Sequence, residues 1–484
     1  MLDQQLSLQL SEYSDLYDKI VPKNHLLRQI NDLIDFSFVY KELESKYTIN
    51  NGRRAESPIR MFKYLLLKVI YDSSDVDVVE RSMYDMSFKY FLGMTPEENV
   101  INPSTLTKFR KLRLKDVELL DLLIGETVRI AIEKGIVKSN SIIVDATHTG
   151  SRSNPYSPLQ ALKLRSKQLR KSLYETDESI RKELPRKNED DDIEHEMSYT
   201  QDLLDKLSEN PELVNIPKIK ERINMLKETL EDIQDHYTTS RDKDARVGHK
   251  TRDDHFFGYK THIAITPERL IVGAIVTSGE KGDGPQLGEL VDKAEKNGVK
   301  VDHVIGDAAY SGDSNLKKAE ECGYKIVAKL NPSISQGFKS EAEKWDYNKD
   351  AGMFVCPAGH MAVRKAIQGK NSANKVQVYF FDIEKCKLCS LRDGCYKDGA
   401  KTKSYSVTIK SDTQKQQLEY QESEEFKALS KERYKIEAKN SELKNVLGYD
   451  RADSYGLDAM QMQGAITMFA ANVKRIVKLI NEPK

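Results

Sequence analysis

Two apolar runs far apart in the chain each stop at an aspartate, and no other feature limits its fold as much. Residues 141–145 read SIIVD and residues 301–307 read VDHVIGD. Short runs rich in Val and Ile are the signature of buried strands. In open α/β sheets, the groups at the carboxyl ends of such strands build the site. Asp145 and Asp307 are therefore strand-end carboxylates. A third acid, Glu437, lies in RYKIEAKNSELK, a segment of strong helical character. Each is commonplace alone, because loops after buried strands take polar residues. Together they can hold two divalent cations, and two such ions about 3.5–4 Å apart clamp the attacking and leaving oxygens of a phosphodiester.

Glu437 has basic company. The offset from Arg433 to Glu437 is a rotation of about 40° around a helix, and eleven residues bring Lys444 back to within about 20° of Arg433. One face thus presents a base, an acid and a base. The plain alternative is an exposed helix laced by i,i+4 ion pairs, a serious one in a chain that is 31% charged.

This spacing resembles the Tyr-Arg-Glu-Lys signature of a large group of DDE transposases of bacterial insertion sequences. The signature's Arg, Glu and Lys stand as Arg433, Glu437 and Lys444 do here, while its Tyr falls at Ser430, a departure that leaves the metal ligand in place. Three further segments resemble the same group in the same order. Residues 21–113 are similar to its helical N-terminal domain, through VPKNHLLRQIND, GRRAESPIRMFKYLLLKVIY and NPSTLTKFRKLR. Residues 242–266 (DKDARVGHKTRDDHFFGYKTHIAIT) resemble the segment leading into its strands, and GDAAYSG at 306–312 its second-aspartate motif.

The resemblance implies an α/β fold with a ribonuclease H-like mixed-sheet core, in which Asp145, Asp307 and Glu437 are the catalytic ligands of two Mg²⁺ or Mn²⁺ ions. It implies a DNA transposase that cuts at element ends and joins the freed 3′-OH to target DNA. Its partners would be double-stranded DNA, at terminal inverted repeats and at the target, and a second copy of the chain in a homodimer assembled on DNA. Carboxylates suit Mg²⁺, a hard cation that prefers oxygen. Arg433 would grip phosphate by paired hydrogen bonds and Lys444 as a point charge. Tyr310 and His262 are near-site candidates. Two other classes would use the same core: a different nuclease or junction resolvase, and a domesticated DNA-binding regulator without catalysis. A helical N-terminal domain with its own basic helix argues against the first, and three retained carboxylates against the second.

Composition excludes a simple polycation. Lys and Arg number 76 and Asp and Glu 76 in 484 residues, so DNA affinity must come from local basic patches. One such patch is TLTKFRKLRLK, where Lys108, Arg110, Lys111, Arg113 and Lys115 crowd a helix started by Asn102-Pro103-Ser104. It could track phosphates, or simply present a solvated face over a core of Leu106, Phe109 and Leu112. Mean hydropathy is −0.61, and no apolar stretch reaches membrane-spanning length. The first residues, MLDQQLSLQLSEYSD, lack the basic and apolar regions of a signal peptide. The expected location is cytoplasmic, with no membrane partner.

Four of the five cysteines fall between 356 and 395, in FVCPAGH and CKLCSLRDGC. Cys356, Cys386, Cys389 and Cys395 read as a tetrahedral structural zinc site, with His360 as an alternate ligand. Free thiols in a β-rich subdomain are the other reading. Cys322 reads as a small core residue, and Trp345 as a core aromatic rather than a base-stacking one.

The expected organisation is a helical N-terminal DNA-binding domain at 1–135, with a core at 136–155 and 241–332. A helical insertion at 156–240 is read as an antiparallel pair, LQALKLRSKQLRKSLY with IKERINMLKETLEDIQ, around a solvated acidic tract at 188–196. A cysteine-rich zinc insertion follows at 333–410, and C-terminal helices carrying the third acid at 411–484. In the core, three strands followed by helix, strand, helix, strand would make the first and fourth strands neighbours and bring Asp145 to Asp307. The last helix has an apolar stripe suited to packing on the sheet.

Overall fold

The computed structural model describes residues 11–48, 55–153, 156–187, 192–234, 242–249, 255–331, 345–348, 351–368, 376–408 and 411–482. Its centre is a mixed sheet of β1 (Ser141–Gly150), β2 (Arg246–His249), β3 (His255–Ile265), β4 (Ile271–Ser278), β5 (His303–Ile305) and β6 (Lys325–Val327). The spatial order is β4-β3-β1-β5-β6, with β2 continuing the β4 edge along the first residues of β3. β3 runs antiparallel to β1 and β4, whereas β5 and β6 run parallel to β1. This is the mixed α/β arrangement expected of a ribonuclease H-like core. β2 is an addition, a short strand within the segment read only as leading into the sheet.

Ile142, Ile143 and Val144 are consecutive and all fully buried. Consecutive burial, rather than alternation, marks a central strand covered on both faces. The apolar run stops at Asp145, where burial relaxes, but β1 itself continues to Gly150, held by its pairing with β3, so Asp145 lies within the strand and not at its end as expected.

Helices fill the N-terminal region. Pro58 opens the helix Pro58–Ile70, and Ser74 with Asp77 forms a capping box ahead of Asp75–Arg81. In the basic helix Ser104–Leu112, Leu106 and Phe109 are buried as expected. Leu112 is not: it is 63% exposed, because the helix ends there and Leu114 turns into the core in its place.

The final helix, Leu457–Asn481, is buried along most of its length. Met460, Met468 and Ala471 pack into the core of the sheet, while Ile466, Phe469 and Val473 pack among the N-terminal helices. It therefore contacts two layers, not the sheet alone. Asn472, fully buried, satisfies the backbone of Ile271, accepting from its N–H (2.8 Å) and donating to its carbonyl (2.7 Å).

The insertion after β1 holds three long helices, Pro158–Thr176, Ile193–Ser208 and Pro217–Gln234, around a core of its own that includes Leu162, Leu169, Leu203 and Leu226. The expected pair thus gains a member, which begins inside the acidic tract. Asp192 caps it by accepting from the Glu194 and His195 amides, and acids in a first turn oppose the helix dipole favourably. Residues 188–191 lie outside the described residues. The cysteine-rich segment contains the hairpin β7 (Asp346–Asn348) with β8 (Met353–Val355), and a sheet of β9 (Arg364–Gln368), β10 (Val376–Phe381) and β11 (Lys403–Thr408). Trp345 stacks on Tyr405 at 4.3 Å, a core role. Cys322 is exposed, contrary to expectation: it ends the helix Asp313–Cys322, and Tyr324 fills the core instead.

Candidate active site

The parallel pairing of β1 with β5 sets Ile143 opposite Ile305. Carried two residues further, the same register brings Asp145 level with Asp307. The two carboxylates act on each other electrostatically. Burial pushes the Asp145 carboxyl up to about 6, against the pull of the Ala146 amide and Arg433, and Asp307 and Asp283 add to the rise. Asp307 is fixed by its own turn, accepting from the Ala309 amide at 2.9 Å.

Glu437 stands on the helix Tyr434–Leu447, which packs beside β1. Ile436, Lys439, Leu443 and Leu447 form its buried stripe. The neighbouring stripe, four, three and four residues apart, is Arg433, Glu437, Asn440 and Lys444, and it borders the aspartates. Asn440 donates to Asp145 Oδ2 at 2.9 Å, and Lys444 Nζ lies 3.4 Å from both ring nitrogens of His148 on β1. Glu437 itself is 62% exposed and lies 3.8 Å from Arg433. The helix is stitched to β1 beyond its end: the Tyr449 carbonyl accepts from Thr149 Oγ1 at 2.9 Å, the Gly150 amide donates to the Asp450 carbonyl, and the Gly150 carbonyl accepts from the Ala452 amide, each at 2.8 Å.

Two groups beside the aspartates complete the cleft. Tyr310 is 1% exposed, and its hydroxyl has no hydrogen-bond partner among the described residues. Burial, with Asp283, Asp145 and Asp307, holds it protonated far above its ordinary range. His262 is fully buried, with Nε2 3.1 Å from Thr277 Oγ1 and Nδ1 3.5 Å from Asp283. Burial lowers it to about 4, so it is neutral near pH 7. Sequence reasoning missed Asn440 and Asp283. The stripe spacing was a usable signal for Asn440; for Asp283, in SGEKGDGP, there was none.

The donors in this cleft are oxygens, the chemistry a hard divalent cation needs. Among the described residues, however, no group of three or more His, Cys, Asp or Glu side chains is assembled for metal binding, here or elsewhere. Asp145 and Asp307 come together; Glu437 shares their edge but faces solvent.

The other sequence candidates are placed as follows. Lys108 and Lys111 are exposed on the basic helix. Arg110 is ion-paired with Asp75, and Arg113 donates to the Lys46 carbonyl and lies 4.2 Å over the Tyr47 ring. Those two guanidinium groups are committed to the fold. Cys356, Cys386, Cys389, Cys395 and His360 line one cavity of about 320 Å³. Burial and the three neighbouring cysteines raise the Cys386 thiol, and the Leu391 amide donates to Cys389 Sγ at 3.3 Å.

No helix among the described residues is long and apolar enough to cross a membrane. Residues 15–112 match the family model described as a transposase domain (DUF772), and residues 228–473 match the transposase DDE domain. Asp307 and Glu437 fall within the second match, whereas Asp145 lies between the two. None of the curated proteins matches the chain. The DDE match alone covers half of the chain, and with the transposase domain preceding it, the chain belongs to the DDE transposases of insertion-sequence type.

Proposed function

We propose that this transposase cuts DNA at the ends of its element and joins the 3′-OH to target DNA at one site built from Asp145, Asp307 and Glu437. The observation that carries the reading is the parallel pairing of β1 with β5 up to Ile143 and Ile305, two residues before Asp145 and Asp307, with Asn440 of the Arg433-Glu437-Asn440-Lys444 stripe donating to Asp145. Two Mg²⁺ or Mn²⁺ ions would supply the charge that stabilises the attacking and leaving oxygens. Asp145, within β1, and Asp307, in the turn after β5, would hold that charge. Glu437 completes the set by turning away from Arg433, a rotation its exposure permits. Arg433, released, and Lys444 then hold phosphate oxygens beside the carboxylates. On the N-terminal helix, Lys108 and Lys111 face the DNA backbone, while Arg110 and Arg113 fix the helix that presents them.

The reading extends to a cytoplasmic protein acting as a homodimer on DNA, with structural zinc on Cys356, Cys386, Cys389 and Cys395. The thiol cavity and the amide bond to Cys389 Sγ support zinc, since outer hydrogen bonds of this kind tune metal-bound sulfur.

The test is strand cleavage and joining on an oligonucleotide carrying the inverted repeat that flanks the gene. Asp145→Asn, Asp307→Asn and Glu437→Gln should each abolish both steps while leaving folding and repeat binding nearly intact. Their effects should not add, because ligands of one site act as a unit. Normal cleavage by Glu437→Gln would send the search to Glu432 or Glu442 on the neighbouring turns.

A further inference from the structure

We infer that Asn315 is a positioning residue for strand cleavage, setting the Asp307 carboxylate by clasping its turn to the loop that follows β4. The inference rests on the reading of Asp307 as a catalytic residue.

Asp307 is carried by a turn, residues 306–312, between β5 and the helix Asp313–Cys322. The turn is held first by its near neighbours. The Gly306 amide donates to the Val327 carbonyl of β6 at 3.2 Å. A Cβ on Gly306 would lie 2.8 Å from the Tyr310 ring and 3.1 Å from Val144, so the ring lies close against the backbone that precedes Asp307. Ser311 Oγ lies 3.0 Å from the Ala308 carbonyl and 2.9 Å from the Lys329 carbonyl. The turn also meets the loop that joins β4 to the helix Leu287–Lys296. A Cβ on Gly284 in that loop would lie 2.6 Å from the Ala309 carbonyl oxygen, so only glycine fits there without a shift. The Asn315 amide bridges the same junction, donating to the Gly284 carbonyl at 2.9 Å and to the Tyr310 carbonyl at 3.0 Å.

Asn315 is itself well anchored. It stands in the first turn of its helix, two residues after Asp313, which is buried. Asp313 accepts from Lys317 at 2.7 Å, from Thr413 Oγ1 at 3.0 Å and from Ser411 Oγ. A side chain whose own place is locked by such support can hold a neighbour to a fraction of an ångström. Asp307 accepts from the Ala309 amide at 2.9 Å, so a turn that slides at Ala309 and Tyr310 carries the carboxylate with it. The Asn315 amide thus reaches the chemistry only through Asp307.

The test is single-turnover strand cleavage by the full-length protein on an oligonucleotide carrying the flanking inverted repeat, together with DNA affinity and hydrogen exchange of residues 306–312. Asn315→Ala should slow cleavage at saturating DNA by about 10- to 100-fold, the scale set by a misplacement of about 1 Å. Affinity should be unchanged, and exchange in 306–312 should quicken. Ala favours the helix, which should persist. Gln417 is the control, because its amide bridges two carbonyls in the same way, those of Ile326 and Ala328 at 2.9 Å each, but at the edge strand β6. Gln417→Ala should lower the melting temperature and leave the cleavage rate unchanged. Gly284→Ala presses on the turn with Asn315 intact and should repeat the Asn315→Ala result, so it decides the matter if Asn315→Ala does not fold. A wild-type cleavage rate, unchanged exchange in 306–312, or an equal loss of rate in Gln417→Ala overturns the positioning role, and inactive Asp307→Asn then leaves the catalytic reading standing. Normal cleavage by Asp307→Asn overturns that reading and the role of Asn315 with it.

Discussion

Burial and like charges make the ionised Asp145 carboxylate electrostatically unfavourable in the folded protein. Its folded pKa of about 6 lies above the ordinary 3.8, so the native state holds the proton more tightly than the unfolded chain does. That contribution is fully present below about pH 4 and is lost as pH rises through about 6. Asp145→Asn removes the titration. It should therefore melt a few degrees higher than wild type at neutral pH without metal, and the advantage should vanish at about pH 4. Mg²⁺ should raise the wild-type melting temperature but not that of the variant, because only a ligand bound to the native state stabilises it. Equal melting of the two proteins at both pH values would show that Asp145 is not buried among like charges. Asp145 and Asp307 were legible in the sequence because an apolar run stops at each, although β1 itself runs on past Asp145 to Gly150, where Thr147 and Thr149 hide the continuation from an apolar pattern. Asn440 was obscured by a charged helix in which every turn offers polar residues, and Asp283 by a glycine-rich turn whose place in space depends on Asn315 and Ala309.

In the proposed site the third acid is carried by the helix Tyr434–Leu447, whose placement depends on how it stops. Gly448 has φ +65°, and a Cβ there would lie 2.3 Å from Asp72 Oδ1. Gly93 has φ +66° with open space around it, so it isolates the backbone component. Gly93→Ala should cost about 1–2 kcal/mol in stability and leave strand cleavage unchanged. Gly448→Ala should cost more and also slow cleavage, because it shifts the helix against β1. Identical losses in the two variants would mean that the Asp72 contact does not position the helix. The cysteine-rich element makes a separate test. Changing Cys386 and Cys389 together to Ser should remove one zinc per chain, read by elemental analysis, and lower the stability of that segment, since structural zinc contributes to folding directly. Wild-type protein purified without zinc would sink the idea. The Cys-x-x-Cys spacing was plain in the sequence. The three-helix form of the insertion was not, because Asp192 reads as part of a solvated charge run until it is seen capping a helix.

At the scale of the whole molecule, the last helix joins parts that chain order keeps apart. Its apolar character was evident, but an apolar face does not name its partner, and packing on the sheet was only half of the outcome. Phe469, fully buried, meets the rings of Phe62, Phe38 and Phe36 at 5.6, 6.2 and 6.4 Å. One residue earlier, Met468 belongs to the core of the sheet. The N-terminal helices therefore lack a wall of their core when residues 457–481 are absent. A fragment ending near Gly135, otherwise the natural piece for testing repeat binding, should be poorly folded unless that helix is supplied. Phe469→Ala should cost about 3–5 kcal/mol, the range for deleting a buried Phe side chain. Because one helix serves both layers, the loss should lower hydrogen-exchange protection in Pro58–Ile70 and in β4 together. The insertion, with its own core around Leu162 and Leu226, should be unaffected. Loss confined to the N-terminal helices, with β4 still protected, would show that the two layers open independently and that the last helix does not couple them.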